Sequence, residues 1–358
     1  MEFNSAWHRF RKDPWAVGSA LFIVGITLLA LFAYPLSPDK TQYGNQMHLS
    51  IHSRPPGFSC QVLVIPHQSK HGNTSFFFGG VNADEEIPIQ DIIWKEEGLE
   101  IKRFGNATDY YEKIEWDQFP KGINRSEIEN KYLITKRFIL GTDKYGRDLL
   151  SRLIIGSRIS ISIGFVAVFI SLLVGVFFGA VAGYFGGIWD RIIMWIINVV
   201  WSIPTLLMVI AITLALGKGF WQVFVAVGLT MWVEVARLVR GQVKSAKEEL
   251  FIQAGRALGF SDGRLLIRHI LPLLFAPLIV VSAANFASAI LMESGLSFLG
   301  IGAQPPMPSW GGMVKDHFRY LLLGKPYLAL FPGLAIMSLV LAFMMLGNSL
   351  RDALDVRS

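Results

Sequence analysis

Six stretches of this chain are apolar for long enough to cross a lipid bilayer, and no other feature limits its fold as strongly. A helix needs about 20 apolar residues to span the hydrocarbon. Trp15–Tyr34, Ile159–Tyr184 and Ile192–Leu216 carry no charge, and Leu271–Met292 and Tyr327–Gly347 follow. Phe220–Leu238 is the weakest of the six, because it holds Glu234 and Arg237. In hydrocarbon each segment must satisfy its own backbone hydrogen bonds, so all six are expected as helices. The first has a basic lead (Arg9, Arg11, Lys12) but no small-x-small cleavage pattern after Tyr34-Pro35-Leu36, so it reads as a retained anchor. Of the 358 residues 52% are hydrophobic, unevenly spread, as expected of a membrane part with a polar insert. The net charge of +6 comes from Lys and Arg that flank apolar runs, a pattern of cytoplasmic membrane edges rather than of nucleic-acid binding. The one cysteine, Cys60, excludes an intrachain disulfide and reads as an inert small side chain.

Arg237, Arg240, Lys244, Lys247, Arg256, Arg264 and Arg268 cluster after the fourth stretch. With the basic N-terminus they place both in the cytoplasm, and six spans return the C-terminus, with Arg351 and Arg357, to the same side. Lys144, Arg147, Arg152 and Arg158 lie on the opposite side, within a long segment where the charge rule loses force. Residues 37–137 form the polar insert. Alternation in Gln61-Val62-Leu63-Val64-Ile65 and in 87–94 predicts strands, and Gly98 between Ile93-Trp94 and Leu99–Phe104 predicts a hairpin. The expected fold is therefore an all-α integral membrane protein of six transmembrane helices with a small β-rich extracytoplasmic insert. Residues 1–36 supply the cytoplasmic N-terminus and first helix, 37–137 the insert, and 138–358 the transmembrane domain with a cytoplasmic loop at 241–272. The insert holds three glycosylation-type triplets, at Asn73, Asn106 and Asn124, and a loose group of His48, His52, His67 and His71. Neither pattern is specific, and no metal or other cofactor is expected.

The cytoplasmic loop has its own punctuation. Residues 248–259 end one helical pattern at Gly259, which suits a left-handed stop. Ser261-Asp262 then offers an N-cap to a second pattern that runs through Arg264 to Leu271-Pro272. Small residues Ala254, Gly255 and Ala257 keep the first helix narrow enough for a partner's groove, and Arg256, Arg264 and Arg268 suit acidic rims. This loop resembles the EAA loop of binding-protein-dependent ABC importer permeases, with Gly259 followed at the family's spacing by Ile270-Leu271-Pro272. Gln253 stands where Glu is usual and Gly255 where Ala is usual. The resemblance implies that Gln253, Ala254, Gly255, Arg256, Gly259, Ser261, Asp262, Arg264, Leu271 and Pro272 belong to a coupling loop that docks on an ATPase subunit.

Further segments resemble a narrower branch, the C-type permeases for dipeptides, oligopeptides and nickel. They are 140–152, 297–306, Trp310-Gly311 and 347–355. The insert departs from that branch, whose members have a much shorter loop there. The resemblance implies the type I ABC importer permease fold in a bacterial inner membrane. It also implies a second homologous permease subunit, two ABC ATPase subunits, an extracytoplasmic substrate-binding protein and a peptide substrate. Nickel or another small solute, and a membrane-anchored receptor acting through its insert, are the alternatives.

Within the spans, Gly175, Gly179, Gly183 and Gly187 recur every four residues and clear one helix face, for packing or for a seam that slides. Pro204, Pro277 and Pro332 interrupt three spans and can bend them. Glu293 either lines a path for the substrate's amino group or holds a structural hydrogen bond. Glu234 is expected to pair with Arg237 near the cytoplasmic rim. Gly217-Lys218 and Gly324-Lys325 are not followed by Ser or Thr, so neither builds a phosphate-binding loop, and the chain reads as a transport subunit rather than an enzyme.

Overall fold

The computed structural model describes residues 2–66, 79–80, 84–96, 98–105, 110–120, 124–217 and 219–354. The expected sites at His67, His71, Asn73 and Asn106 lie outside the described residues. Among the described residues five helices are long and apolar enough to cross a membrane, and a bent pair counted as one span makes a sixth. In chain order the spans are Pro14–Leu31, Leu149–Phe185, the pair Gly187–Ser202 and Thr205–Leu216, Phe220–Ala246, Asp262–Phe298 and Tyr327–Leu354.

The third span is not the straight helix that its apolar run suggests. Its two halves meet at 95°. The residue before a proline is pushed out of the helical region by the pyrrolidine ring, and Ile203 ahead of Pro204 is extended, at φ −90° and ψ 128°. The other two prolines act differently because of where they fall. Pro277 is the third residue of the regular helix Phe275–Phe298, in the first turn, where no intrahelical N–H is needed. Pro332 lies inside the last span, whose helix continues through it.

The insert is a five-stranded antiparallel sheet in the order β4-β3-β2-β1-β5. Its strands are β1 (Phe58–Ile65), β2 (Glu85–Lys95), β3 (Gly98–Arg103), β4 (Glu112–Glu115) and β5 (Leu133–Phe138). The β2–β3 hairpin pairs Lys95 with Gly98. Period-2 alternation sends Leu63, Ile65, Ile87, Ile89, Leu99 and Ile101 into one core with Phe119, Ile128 and Tyr132, while Cys60 and Val62 meet Ile51 and Phe138 in another. Pro88 sits in the interior strand β2, which proline tolerates poorly, and the ladder shifts register just beyond it, between Ile89 and Asp91. Burial pushes the Cys60 thiol up to about 11, so it stays protonated and unreactive at neutral pH. His48 sits against the buried Glu86 at 3.1 Å, with Lys136 on the same carboxylate oxygen at 2.5 Å. Among the described residues no group of three metal-ligating side chains forms. Asn124 caps the helix Arg125–Lys131, its N–H donating to Glu127 at 3.3 Å.

Contacts divide the chain into two units. One comprises Met1–Thr27, Ile159–Gln304 and Leu334–Ser358, and the other Leu28–Arg158 and Pro305–Gly333. The sheet's unit therefore takes in chain on both sides of 37–137, as well as 305–333.

In the first unit, the second and fourth spans come together along glycines. A Cβ at Gly175 would stand 2.8 Å from the Trp232 carbonyl oxygen, at Gly179 2.5 Å from that of Ala236, and at Gly183 2.7 Å from that of Arg240. Those carbonyls are themselves four residues apart, so backbone meets backbone along two turns. Gly187 is not part of this stripe. It opens the next helix, and both it and Gly186 have positive φ. Phe165, Phe169, Leu173 and Phe177 form an exposed apolar stripe elsewhere around the second span.

Candidate functional site

The fourth span runs on to Ala246, and a turn delivers the chain into the short helix Leu250–Ala257. That helix buries Ile252 and Gly255 and exposes Gln253, Ala254, Arg256 and Ala257. Its C-terminus closes with two backbone bonds, Phe260 N–H to the Gly255 carbonyl at 3.1 Å and Gly259 N–H to that of Arg256 at 3.0 Å. This paired closure is the Schellman stop, and it requires the left-handed backbone that Gly259 shows, at φ +80°. A Cβ at Gly255 would lie 3.0 Å from Leu265 and 3.2 Å from the Phe260 ring. Those two side chains fold over the place where an alanine methyl would sit.

Ser261 occupies the N-cap position, but its side chain makes no capping bond, contrary to the expectation from sequence. The start of the fifth span is tied down in another way. The Tyr184 hydroxyl donates to Asp262 at 2.6 Å, and Lys247 Nζ donates to the Tyr184 carbonyl at 2.7 Å. Arg264 stacks 4.0 Å over Phe260. Farther on, Pro272 cannot donate an N–H, and the helix around it loosens to a π turn over Leu266–Ile270 and a 3-10 turn over Leu271–Leu274. The Gln253 amide folds back to the Glu248 carbonyl at 2.9 Å. Leu250 and Leu258 remain 81% and 76% exposed beside it, so the loop presents uncovered apolar surface together with Arg256 and Arg264.

Glu293 is enclosed, at 1% exposure, and accepts the Ser297 hydroxyl at 2.6 Å. The hydrogen bond of the structural alternative is thus present. Glu234 departs further from expectation. Arg237 turns away from it, donating to Asn198 at 2.7 Å and stacking 3.5 Å over Trp201. Glu234 is exposed and makes no ion pair among the described residues. Along the helix it lies about 20 Å from either end of Phe220–Ala246 at about 1.5 Å per residue, four residues inside the expected cytoplasmic end of the apolar stretch Phe220–Leu238.

The segment at 140–152 proves to be a buried ionic knot. Asp143, fully buried, receives Arg147 Nε at 2.7 Å and the N–H groups of Tyr145 and Arg147 at 2.8 and 3.0 Å, with Arg152 Nε 3.7 Å away. Arg147 also reaches Asn45 at 2.9 Å. Asp148 accepts the Ser151 N–H at 2.8 Å and so caps the helix that follows, while burial pushes its carboxyl above the ordinary value. Trp310 donates to the Leu153 carbonyl at 2.8 Å and lies against Gly156. In the segment 297–306, Gly300 (φ +82°) makes a second Schellman stop, with Ile301 N–H on the Leu296 carbonyl at 2.9 Å. These segments fix turns and helix ends; sequence reading picked them out by resemblance without foreseeing their contacts.

A sequence family described as "Binding-protein-dependent transport system inner membrane component" matches residues 175–358, half of the chain and all of its loop. The chain belongs to this family. A second description, "N-terminal TM domain of oligopeptide transport permease C", matches residues 3–56 of the permease. The dipeptide transport system permease DppC of Alkalihalophilus pseudofirmus is 43% identical to it over 215 residues, 60% of this chain and 70% of that protein. The glutathione transport system permease GsiD of Pectobacterium atrosepticum is 42% identical over 216 residues, 60% of this chain and 71% of that one. A solved inward-facing MetNI methionine ABC transporter aligns at a TM-score of 0.44 and 19% identity, covering 57% of this chain and 96% of that one. The permease is thus a multi-pass inner-membrane component of a binding-protein-dependent transport system.

Proposed function

We propose that this permease forms half of the translocation pathway for di- or oligopeptides, driven by ATP hydrolysis in partner subunits. The observation that carries the substrate class is its identity of more than 40% to permeases named for dipeptide and glutathione transport. Both of those cargoes are short peptides. A second homologous permease completes the pore, two ATPase subunits bind on the cytoplasmic side, and a substrate-binding protein delivers cargo outside. The permease carries no ATPase site of its own. Both termini and the loop at 241–272 lie in the cytoplasm, in keeping with the Lys and Arg that crowd the loop, and the sheet lies outside.

The loop is the transmission element. Its short helix is pinned on one side by Ile252 and Gly255 and leaves the other uncovered, the form of a helix that lies in a partner's groove. The Lys247–Tyr184–Asp262 bonds link the loop to the end of the second span. A push on the helix is then felt by spans two, four and five together. The stripe at Gly175, Gly179 and Gly183 keeps two of those spans in backbone contact, so they move as one piece.

The test is uptake into proteoliposomes holding the assembled complex and its binding protein. ATP-dependent accumulation of labelled di- or tripeptides, with none of nickel, is the expected result. Accumulation of nickel without peptides would transfer the permease to the other cargo of its branch.

A further inference from the structure

The break in the third span opens a cleft against spans four and five. Its wall is formed by Trp201, Ile203, Thr205, Met208, Thr230 and Met231, with Ser288 and Met292 from the fifth span and Glu234 at its edge. The cavity measures ≈ 80 Å³. That is room for a few waters or one small polar head group, at about 10–15 Å³ per water. It is far too small for a whole peptide.

Glu234 is the one acidic group on this wall. A carboxylate within the apolar stretch of a transmembrane helix is costly against lipid, and such groups face water, a cation or a substrate path. The cation beside it in sequence does not serve. Arg237 donates instead to the side-chain amide oxygen of Asn198 and stacks on the Trp201 ring face. Glu293 in the fifth span is enclosed and bonded to Ser297. Glu234 is exposed, in a concave wall, with three hydroxyl-bearing residues, Thr205, Thr230 and Ser288, within the same cleft. Around it stand three methionines, whose flexible thioethers adapt to varied neighbours.

We propose that Glu234 is the cation-recognising group of the translocation path, holding the primary ammonium of the cargo in the span-three cleft while the rest of the cargo passes over the methionine-lined wall. The proposal rests on the peptide reading above for the identity of the cargo, but not for the sign of charge that the cleft attracts. An acidic cleft with low-dielectric walls concentrates cations. Anchoring by charge and size alone suits a transporter whose cargoes share an ammonium and differ in their side chains.

Two measurements on the assembled complex decide it. Ser288→Cys, on the same wall, is reacted with a cationic and an anionic methanethiosulfonate of similar size, with Glu234 present and with Glu234→Gln. The cationic reagent is expected to react about tenfold faster or more with Glu234 present, and the preference is expected to collapse in Glu234→Gln. Equal rates for the two reagents, or no reaction with either in any nucleotide state, would overturn the proposal. The second measurement is peptide uptake at saturating cargo-loaded binding protein. Glu234→Gln is expected to lower it about tenfold, while basal ATP hydrolysis and co-purification of the partner permease stay at wild-type level. Loss of the partner from Glu234→Gln would show that the carboxylate pairs with a cation of that subunit, and unchanged uptake would show that it does not touch cargo. Either result overturns the proposal. If the wild-type complex imports no peptide, the peptide reading fails by itself, and the reagent preference still decides whether the cleft recognises cations.

Discussion

Replacing Gly259 by valine tests the loop where its geometry is most demanding. Nothing lies within 4 Å of the position a Cβ would take, so the substitution meets no steric clash. Its whole effect comes from the backbone, which sits at φ +80°. An L-residue pays about 1–2 kcal/mol to enter the left-handed region, and a β-branched one stands toward the upper end of the about 1–3 kcal/mol range for such strain. If the chain escapes by leaving that region, the two Schellman bonds at 3.0 and 3.1 Å are lost, at about 0.5–1.5 kcal/mol each. The helix they close has 8 residues, too few to persist by propensity alone. A penalty of about 2 kcal/mol lowers the population of the docked geometry by about 30-fold, at about 1.4 kcal/mol per factor of ten. The assay is the ratio of peptide uptake to ATP hydrolysis in the reconstituted complex. Gly259→Val is expected to uncouple the two or to lose the ATPase subunits. Gly259→Asn, which tolerates the left-handed region, is expected to retain most coupling, and Gly259→Ala to fall between them. Wild-type coupling in the valine variant would refute the reasoning.

Three other outcomes follow from particular contacts. Gly179→Val places a Cβ 2.5 Å from the Ala236 carbonyl oxygen, and is expected to lower the thermal stability of the detergent-solubilised chain by about 1–3 kcal/mol, whereas Gly241→Val, with nothing within 4 Å, is not. Asp143→Asn leaves Arg147 and Arg152 buried without their carboxylate, and is expected to cost about 3–5 kcal/mol, read as loss of folded protein by size-exclusion fluorescence. For Glu86, burial raises the carboxyl, but the bonds and charge of His48 and Lys136 outweigh it, so the folded value lies below the ordinary 4.5. The stability it contributes is then fully present above the unfolded value and is lost as pH falls through the lowered folded one. Melting of the wild-type chain followed by tryptophan fluorescence is expected to decline across that acidic window, and Glu86→Gln to flatten the decline.

The spans were legible because lipid imposes one simple rule, a run of apolar residues long enough to cross. The sheet was legible where alternation was clean, as in Gln61–Ile65, and the hairpin where Gly98 interrupts two such runs. Gly259 was legible because left-handed backbone leaves few residue choices. Prolines were harder, since the same ring ends a helix at Pro204, starts one quietly at Pro277 and is absorbed at Pro332. The outcome depends on where the ring falls relative to the helix ends, and an unbroken apolar run does not mark those ends. Ion pairing failed for the same reason. Three-residue spacing favours Glu234 with Arg237, but Asn198 and Trp201, distant in sequence, offer the guanidinium a better seat. The Asp143 knot likewise draws Asn45 from the far side of the insert.

The most direct test of the central claim, that this permease takes its drive from an ATPase through the loop at 241–272, is a cross-link. Arg256→Cys, on the exposed face of the Leu250–Ala257 helix, is introduced into a chain whose Cys60 is replaced by serine. The complex is then treated with a short cleavable thiol reagent. The expected result is a cross-link to the ATPase subunit that stops peptide uptake and whose reduction restores it. Labelling of the same cysteine by a membrane-impermeant reagent added outside intact cells, with no cross-link to the ATPase, would contradict it.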